Sequence, residues 1–100
     1  MFVTIVQANV GQEHWERVRQ QFERQTHSIP DGLMETFLVQ GHDQPTAWQI
    51  LIFWQNQEMF EHARGMKKVA AFESIFFDCD AVPERSSFQV RAGVERVGAT

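Results

Sequence analysis

The strongest constraint on the fold is a run of alternating side chains in residues 46–55. Successive side chains of an extended strand point to opposite faces, so one face of this segment is entirely apolar. The other face is apolar only at its centre. The pattern therefore predicts a strand that is buried on one side and half buried on the other. The first face carries Trp48, Ile50, Ile52 and Trp54, and the second carries Gln49, Leu51, Phe53 and Gln55.

The rest of the chain switches between strand and helix periods. Strand patterns cover residues 2–10, 33–40 and 86–94, where Phe88, Val90, Ala92 and Val94 alternate with polar neighbours. Helical spacing covers 12–26, with Trp15, Val18 and Phe22 on one stripe. A second helical region is expected to begin at the N-cap Asn56, to break with Gly65 as its C′ residue, and to resume over 67–77.

The resulting order, β-α-β-β-α-β, is typical of the ferredoxin-like α+β fold. It predicts a single domain over residues 1–100, with a four-stranded antiparallel sheet and helices on one face. The other sheet face keeps apolar residues such as Leu51 and Phe53, and an exposed patch of this kind usually marks an interface. We therefore expect a homodimer in which two sheets pack together as a dimeric α+β barrel.

Composition excludes several partners. The net charge is −4 and the longest basic run is Lys67-Lys68, so neither nucleic acid nor an anionic membrane surface is expected. The apolar run from Ile50 to Trp54 is too short to span a bilayer. Cys79 is the single cysteine, and the first residues lack a secretory leader pattern, so a cytoplasmic location is expected. The histidines and carboxylates of the sequence do not follow the spacing that metal ligands usually have. We therefore expect no metal and no cofactor.

Two stretches carry a family resemblance. Residues 29–33, IPDGL, form the turn before the second strand, and residues 52–62, IFWQNQEMFEH, join a strand ending in Trp to a short helix. Both resemble the antibiotic biosynthesis monooxygenase family, and the likeness extends over roughly residues 1–95. It implies a homodimer whose subunits each hold a pocket between helices and sheet. It also implies a cofactor-independent monooxygenase that uses molecular oxygen on a small phenol, quinol or anthrone-like compound.

Several family positions differ in this sequence. Anthrone-oxidising members carry Asn four residues before the Trp and Tyr six residues after it, where this chain has Ile50 and Phe60. Haem-degrading relatives carry an Asn and a His where this chain has Thr4 and Phe72, which disfavours haem degradation. Two functions stay open, a monooxygenase and a non-catalytic dimeric module that binds small molecules or responds to stress. A buried His, Asn or Glu beside an open cavity would favour catalysis, and a filled apolar cleft would favour the module.

Each candidate site residue also has a structural interpretation. Trp54 could stack on an aromatic ligand or fill the core. His62 could act as a catalytic base or stabilise a helix end. Asn9, also a catalytic candidate, could form a hydrogen bond to a substrate oxygen or form a turn. Glu73 is an acid or base candidate if it is buried and a rim residue otherwise. The remaining candidate substrate-binding residues, which could equally be core, are Phe37, Ile50, Phe60, Phe72 and Phe76.

Overall fold

A computed structural model describes residues 1–96 of the chain. It confirms the predicted β-α-β-β-α-β order, with the second helical region in two pieces. Among the described residues, no helix has the length and apolar content needed to cross a membrane. The strands are β1 (Phe2–Asn9), β2 (Leu33–Gln40), β3 (Ala47–Trp54) and β4 (Glu84–Gln89). The helices are α1 (Trp15–Gln25), preceded by a 3-10 turn (Gln12–His14), α2 (Gln57–Gly65) and α3 (Lys68–Phe77).

The four strands form one antiparallel sheet in the order β2-β3-β1-β4. The two central strands are β1 and β3, and they align Phe2 with Trp54 at one end and Asn9 with Ala47 at the other. This strand order confirms the ferredoxin-like α+β class. We call the Phe2–Trp54 end of the sheet the upper end and the Asn9–Ala47 end the lower end.

The alternation in β3 correctly predicted which face the helices cover. Trp48, Ile50, Ile52 and Trp54 are all buried, and Ile50, Ile52 and Trp54 are 0% exposed. β1 contributes four more buried residues to this face, the last of them Ala8. Helix residues such as Val18, Val69 and Phe76 close the core from the other side.

Opposite the helices, the sheet has an open face that no other part of residues 1–96 covers. All but one of its apolar side chains lie in the upper half. Its lower half carries Val39 and amides such as Gln7 and Gln49, which share a 3.2 Å hydrogen bond. Phe37 and Phe53 meet edge to face on this surface, with ring centroids 6.2 Å apart. The apolar members are Val3, Ile5, Phe37, Val39, Leu51, Phe53 and Phe88.

The start of α2, the end of α2 and the start of β2 can be compared with the helix caps and turns predicted from the sequence. Asn56 is the predicted N-cap of α2, and its side-chain oxygen accepts the Met59 N–H at 2.9 Å. Gly65 is the last residue of α2 rather than its C′ residue, and the left-handed conformation that separates the helices falls on Lys67, with φ 62°. Before β2, the left-handed residue is Gly32, with φ 83°.

The last strand is shorter than its alternation predicts. Pairing ends at Gln89 instead of Val94 because β1, which pairs with β4 in the described sheet, begins at Phe2 opposite Gln89. One further hydrogen bond joins the Val90 N–H to the Met1 carbonyl at 2.9 Å. The side-chain pattern of residues 90–94 is that of a strand, but no strand within residues 1–96 pairs with them.

Candidate functional site

Trp54 lies at the upper end of β3, on the helix-covered face, and is fully buried. Its indole N–H donates to Thr4 Oγ1 at 3.1 Å, and that hydroxyl lies 3.2 Å from the Ser87 hydroxyl. The ring of Phe60 packs against the indole at a centroid distance of 5.9 Å and an angle of 69°. The only polar atom of Trp54's side chain therefore already has a partner within the chain.

Four of the other predicted substrate-binding residues come together around Trp54. Ile50, Phe60, Phe72 and Phe76 all belong to the same buried cluster, and none is more than 5% exposed. Because protein interiors are closely packed, these side chains fill the space between helices and sheet instead of lining an open pocket there. Among the described residues, the buried side chains include a hydroxyl and a thiol but no carboxylate or imidazole.

Phe37 lies on the opposite side of the sheet from that cluster. It pairs with Leu51 and is 47% exposed on the open face, so it is not part of the buried cluster that contains the other four residues. The cause is a β-bulge between Leu33 and Glu35, which lets Leu33 face the helices while Phe37 faces away. A single extra residue in a strand reverses the facing of every residue after it, and no residue pattern in this segment marks the bulge.

The two residues expected to be catalytic border different hollows of the surface. Asn9 ends β1 at the lower end, whereas His62 lies on α2, which follows directly from the upper end of β3. The strand between these ends is seven residue steps long, or about 23 Å at about 3.3 Å per residue. Asn9 is exposed beside a hollow of about 380 Å³ that includes Gln7 and Gln49. The structure therefore does not bring His62 and Asn9 to one substrate.

His62 and Glu73 both lie at the surface. His62 is exposed and borders a hollow of about 210 Å³ with Pro30, Asp31 and Met66 among its neighbours. Glu73 accepts a hydrogen bond from Arg85 at 3.0 Å, and its side chain is 23% exposed. Glu73 is therefore an ion-paired residue at the rim of the core.

A cavity opens at the upper end of the sheet, two residues beyond Trp54. Its volume is about 630 Å³, within the range of about 300–1,000 Å³ typical of small-molecule sites. The N-cap Asn56 lies at its wall, and the Gln89 side-chain N–H₂ donates to Gln57 Oε1 across it at 2.9 Å. The walls consist of Met1, Asn56, Gln57, Glu58, Glu61 and Gln89.

This cavity has an acidic and amide-rich wall. Glu61 is paired with Arg64, whereas Glu58 forms no ion pair with any of residues 1–96. Glu58 also lies in the first turn of α2, where the unpaired backbone N–H groups create a positive local potential. The only feature of this cavity that was predicted from the sequence is the helix cap at Asn56. The sequence could not identify the cavity, because Met1 and Gln89 reach it from distant parts of the chain.

Cys79 follows α3 and is buried. Burial is the main cause that raises the pKa of its thiol above the usual value, and the neighbouring Asp78 and Asp80 carboxylates add to the rise, while Arg17 opposes it. A thiol with a raised pKa is a poor nucleophile and a poor metal ligand at neutral pH. No group of three His, Cys, Asp or Glu residues within the described part of the chain is arranged to hold a metal ion.

Comparison with known proteins gives a fold relationship. No family model and no curated protein sequence matches the chain. Among solved structures, a candidate antibiotic biosynthesis monooxygenase from Deinococcus radiodurans has a TM-score of 0.74 at 16% identity, covering 98% of this chain and 100% of that one. The heme-degrader MhuD of Mycobacterium tuberculosis has a TM-score of 0.75 at 16% identity, with 95% and 100% covered.

A third structure is SnoaB, a cofactor-independent oxygenase from Streptomyces nogalater. Its TM-score is 0.66 at 15% identity, and the match covers 95% of this chain and 98% of that one. At such identities the likeness establishes the fold, and one fold supports many activities. The chain therefore has the ferredoxin-like α+β fold that is found in the antibiotic biosynthesis monooxygenase structures.

Proposed function

We propose that this chain is a cofactor-independent monooxygenase of the antibiotic biosynthesis monooxygenase type, acting on a small phenol, quinol or anthrone-like compound. The observation that carries the proposal is the 630 Å³ cavity beside the strand end that holds Trp54. The fold likeness to SnoaB, whose name describes a cofactor-independent oxygenase, supports the reaction type. The single domain of residues 1–100 and a cytoplasmic location, with Cys79 as a free thiol, belong to the same proposal.

The chemistry needs a base and a site that favours the substrate anion. An anthrone CH₂ group loses a proton, the resulting anion passes an electron to O₂, and the overall change is CH₂ + O₂ to C=O + H₂O. Glu58 is the unpaired carboxylate of the cavity wall and would accept the proton. The amide N–H₂ groups of Asn56 and Gln57 would donate to the substrate oxygen as negative charge develops there.

Replacing Glu58 by Gln is expected to reduce oxygen uptake with anthrone by about 10²-fold or more, the lower end of the range for a general base. The measurement is an oxygen-electrode assay of anthrone and of 1,4-naphthalenediol, corrected for oxidation in buffer alone. The matched control is Glu23→Gln on α1, which removes an exposed carboxylate far from the cavity. Equal turnover by Glu58→Gln and the unmodified protein would exclude Glu58 as the base.

The second candidate function is a non-catalytic dimeric module that binds small molecules. The observation that favours it is the filled, apolar space around Trp54, which contains no carboxylate or imidazole. Such a module would bind anthrone in a ligand titration without consuming oxygen above the buffer rate. Oxygen consumption and binding measured side by side therefore separate the two functions.

We also propose a homodimer formed through the open face, because none of the other described residues of the chain covers the seven apolar side chains there. Light scattering at micromolar concentration should give about twice the 11.6 kDa chain mass. Phe88→Glu, which places a charge on this face, should shift the protein toward monomer. Met66→Glu is the control, since Met66 is 58% exposed beside α2, on the other side of the sheet. A monomeric unmodified chain would contradict the proposal.

A further inference from the structure

The side-chain amides in the wall of the 630 Å³ cavity have defined orientations. An amide has an acceptor end, the oxygen, and a donor end, the N–H₂ group, so a partner for one end determines which end stays available. Asn56 caps α2, and its Oδ1 accepts the Met59 N–H at 2.9 Å. Its N–H₂ group donates to no other residue within 1–96. This amide therefore offers the cavity a donor.

Gln57, the next residue, is oriented in the same sense by a contact from the sheet. Its Oε1 accepts from Gln89 Nε2 at 2.9 Å, and its own N–H₂ group has no acceptor among the described residues. Gln89 is the last residue of β4, and it pairs with Phe2 of β1. The following residue is also held, because the Val90 N–H donates to the Met1 carbonyl at 2.9 Å. The strand end that carries Gln89 is therefore fixed in place.

A wall with two amide donors favours a ligand oxygen that gains negative charge. Such charge develops when a phenol or an enol loses its proton, and donors that are already in position stabilise it. Glu58 lies in the same wall and would take that proton, so its own charge is neutralised as the ligand becomes an anion. Glu61, the other carboxylate of the wall, is paired with Arg64. The proton transfer therefore leaves the total charge of the site unchanged.

We propose that Gln89 is a positioning residue of this site. By donating to Gln57 Oε1, it turns the Gln57 N–H₂ group toward the cavity. There this group and the N–H₂ group of Asn56 bind the oxygen of a phenolate or an enolate. Gln89 acts through Gln57 and does not need to touch the reacting atoms. The proposal rests on the function proposed above and adds the residue that gives the cavity its preference for an anion.

The preference for an anion can be measured with 4-nitrophenol, which changes colour on ionisation and so reports its charge state when bound. Gln89→Glu offers Gln57 only an acceptor, so the Gln57 N–H₂ group should turn away from the cavity and leave its oxygen there. The preference for the ionised over the neutral ligand should fall by about tenfold or more, the scale of one hydrogen bond to a charged group. Gln89→Leu removes the partner without adding charge and should lower the preference by a smaller factor.

A double-mutant cycle separates orientation from the added charge. In a Gln57→Leu chain, residue 89 has no amide to orient, so Gln89→Glu should have little further effect on the anion preference. An equal effect with and without Gln57 would show that charge alone is responsible and would overturn the proposal. The matched control is Gln40→Glu, which should leave the preference unchanged. Gln40 also donates to a carbonyl oxygen, that of Pro45, but it lies at the lower end of the sheet.

Oxygen uptake with anthrone gives the second measurement. Gln89→Glu should lower kcat by about tenfold or more with a smaller change in KM. Its melting temperature should stay near that of the unmodified protein, because Gln57 and Gln89 are both exposed. If the unmodified chain oxidises anthrone and Gln89→Glu changes neither kcat nor the anion preference, the positioning role is overturned and the function stands. If anthrone is not oxidised but Gln89→Glu weakens the anion preference, the function fails and the positioning role stands. A chain that neither oxidises anthrone nor binds 4-nitrophenol would overturn both.

Discussion

Replacing Gly32 by Ala is expected to lower the melting temperature by roughly 10 °C or more. Gly32 has φ 83°, a backbone conformation that residues with a Cβ atom rarely adopt. A Cβ at this position would also clash with the Cβ and Cγ atoms of Met59. Backbone strain costs about 1–3 kcal/mol and overpacking about as much again. Each kcal/mol lowers the melting temperature by about 4–8 °C in a domain of this size.

The matched control for this prediction is Gly65→Ala. Gly65 belongs to α2, no atom lies within 4 Å of its ideal Cβ, and its φ is outside the left-handed region. Alanine favours helix over glycine by up to about 1 kcal/mol, so this variant should melt at or above the unmodified protein's temperature. Circular dichroism melts of the two variants make the comparison. If Gly32→Ala melts at the same temperature as the unmodified protein, the turn can accommodate a Cβ at this position without loss of stability.

Trp54→Phe is expected to lower stability by about 1–3 kcal/mol, because it removes a buried hydrogen bond and part of a packed ring. It should leave anthrone affinity unchanged, because the indole has no exposed surface. Thermal melting beside a ligand titration measures both quantities. A weaker affinity without a lower melting temperature would instead assign Trp54 to the ligand-binding wall.

A double-mutant cycle with Thr4 separates the hydrogen bond from packing. Thr4→Val alone leaves the Trp54 N–H buried without an acceptor, whereas Thr4→Val with Trp54→Phe removes both polar partners. The double variant should therefore be more stable than the sum of the two single losses predicts. Strict additivity in urea unfolding would show that the 3.1 Å contact contributes nothing measurable.

The sequence was most informative where local signals and tertiary packing agree. The alternation of β3 predicted the helix-covered face because both of its neighbours pair with it over its length. The cap at Asn56 was predictable because it depends only on residues within one helical turn. These two features position Trp54 and the start of α2, and with them one wall of the 630 Å³ cavity.

Other features depend on distant parts of the chain and could not be predicted in this way. The end of β4 depends on where β1 begins, almost ninety residues earlier in the sequence. His62 and Asn9 suit proton transfer and hydrogen bonding by residue type, but their separation depends on strand register. The cavity beside Glu58 is formed by Met1, the first turn of α2 and Gln89, which no sequence spacing connects.

The bulge at the start of β2 makes the identity of the exposed surface depend on one inserted residue. With the bulge in place, Thr36 and Leu38 pair across the strands with Ile52 and Ile50 and share their helix-covered face. Phe37 and Val39 face the other way. A homologue that lacked the residue corresponding to Met34 would exchange these two sets. Phenylalanine and valine would then enter the interior, and a threonine and a leucine would form the outer surface. Insertions and deletions at this position are therefore a route by which related chains could change partners while keeping their topology.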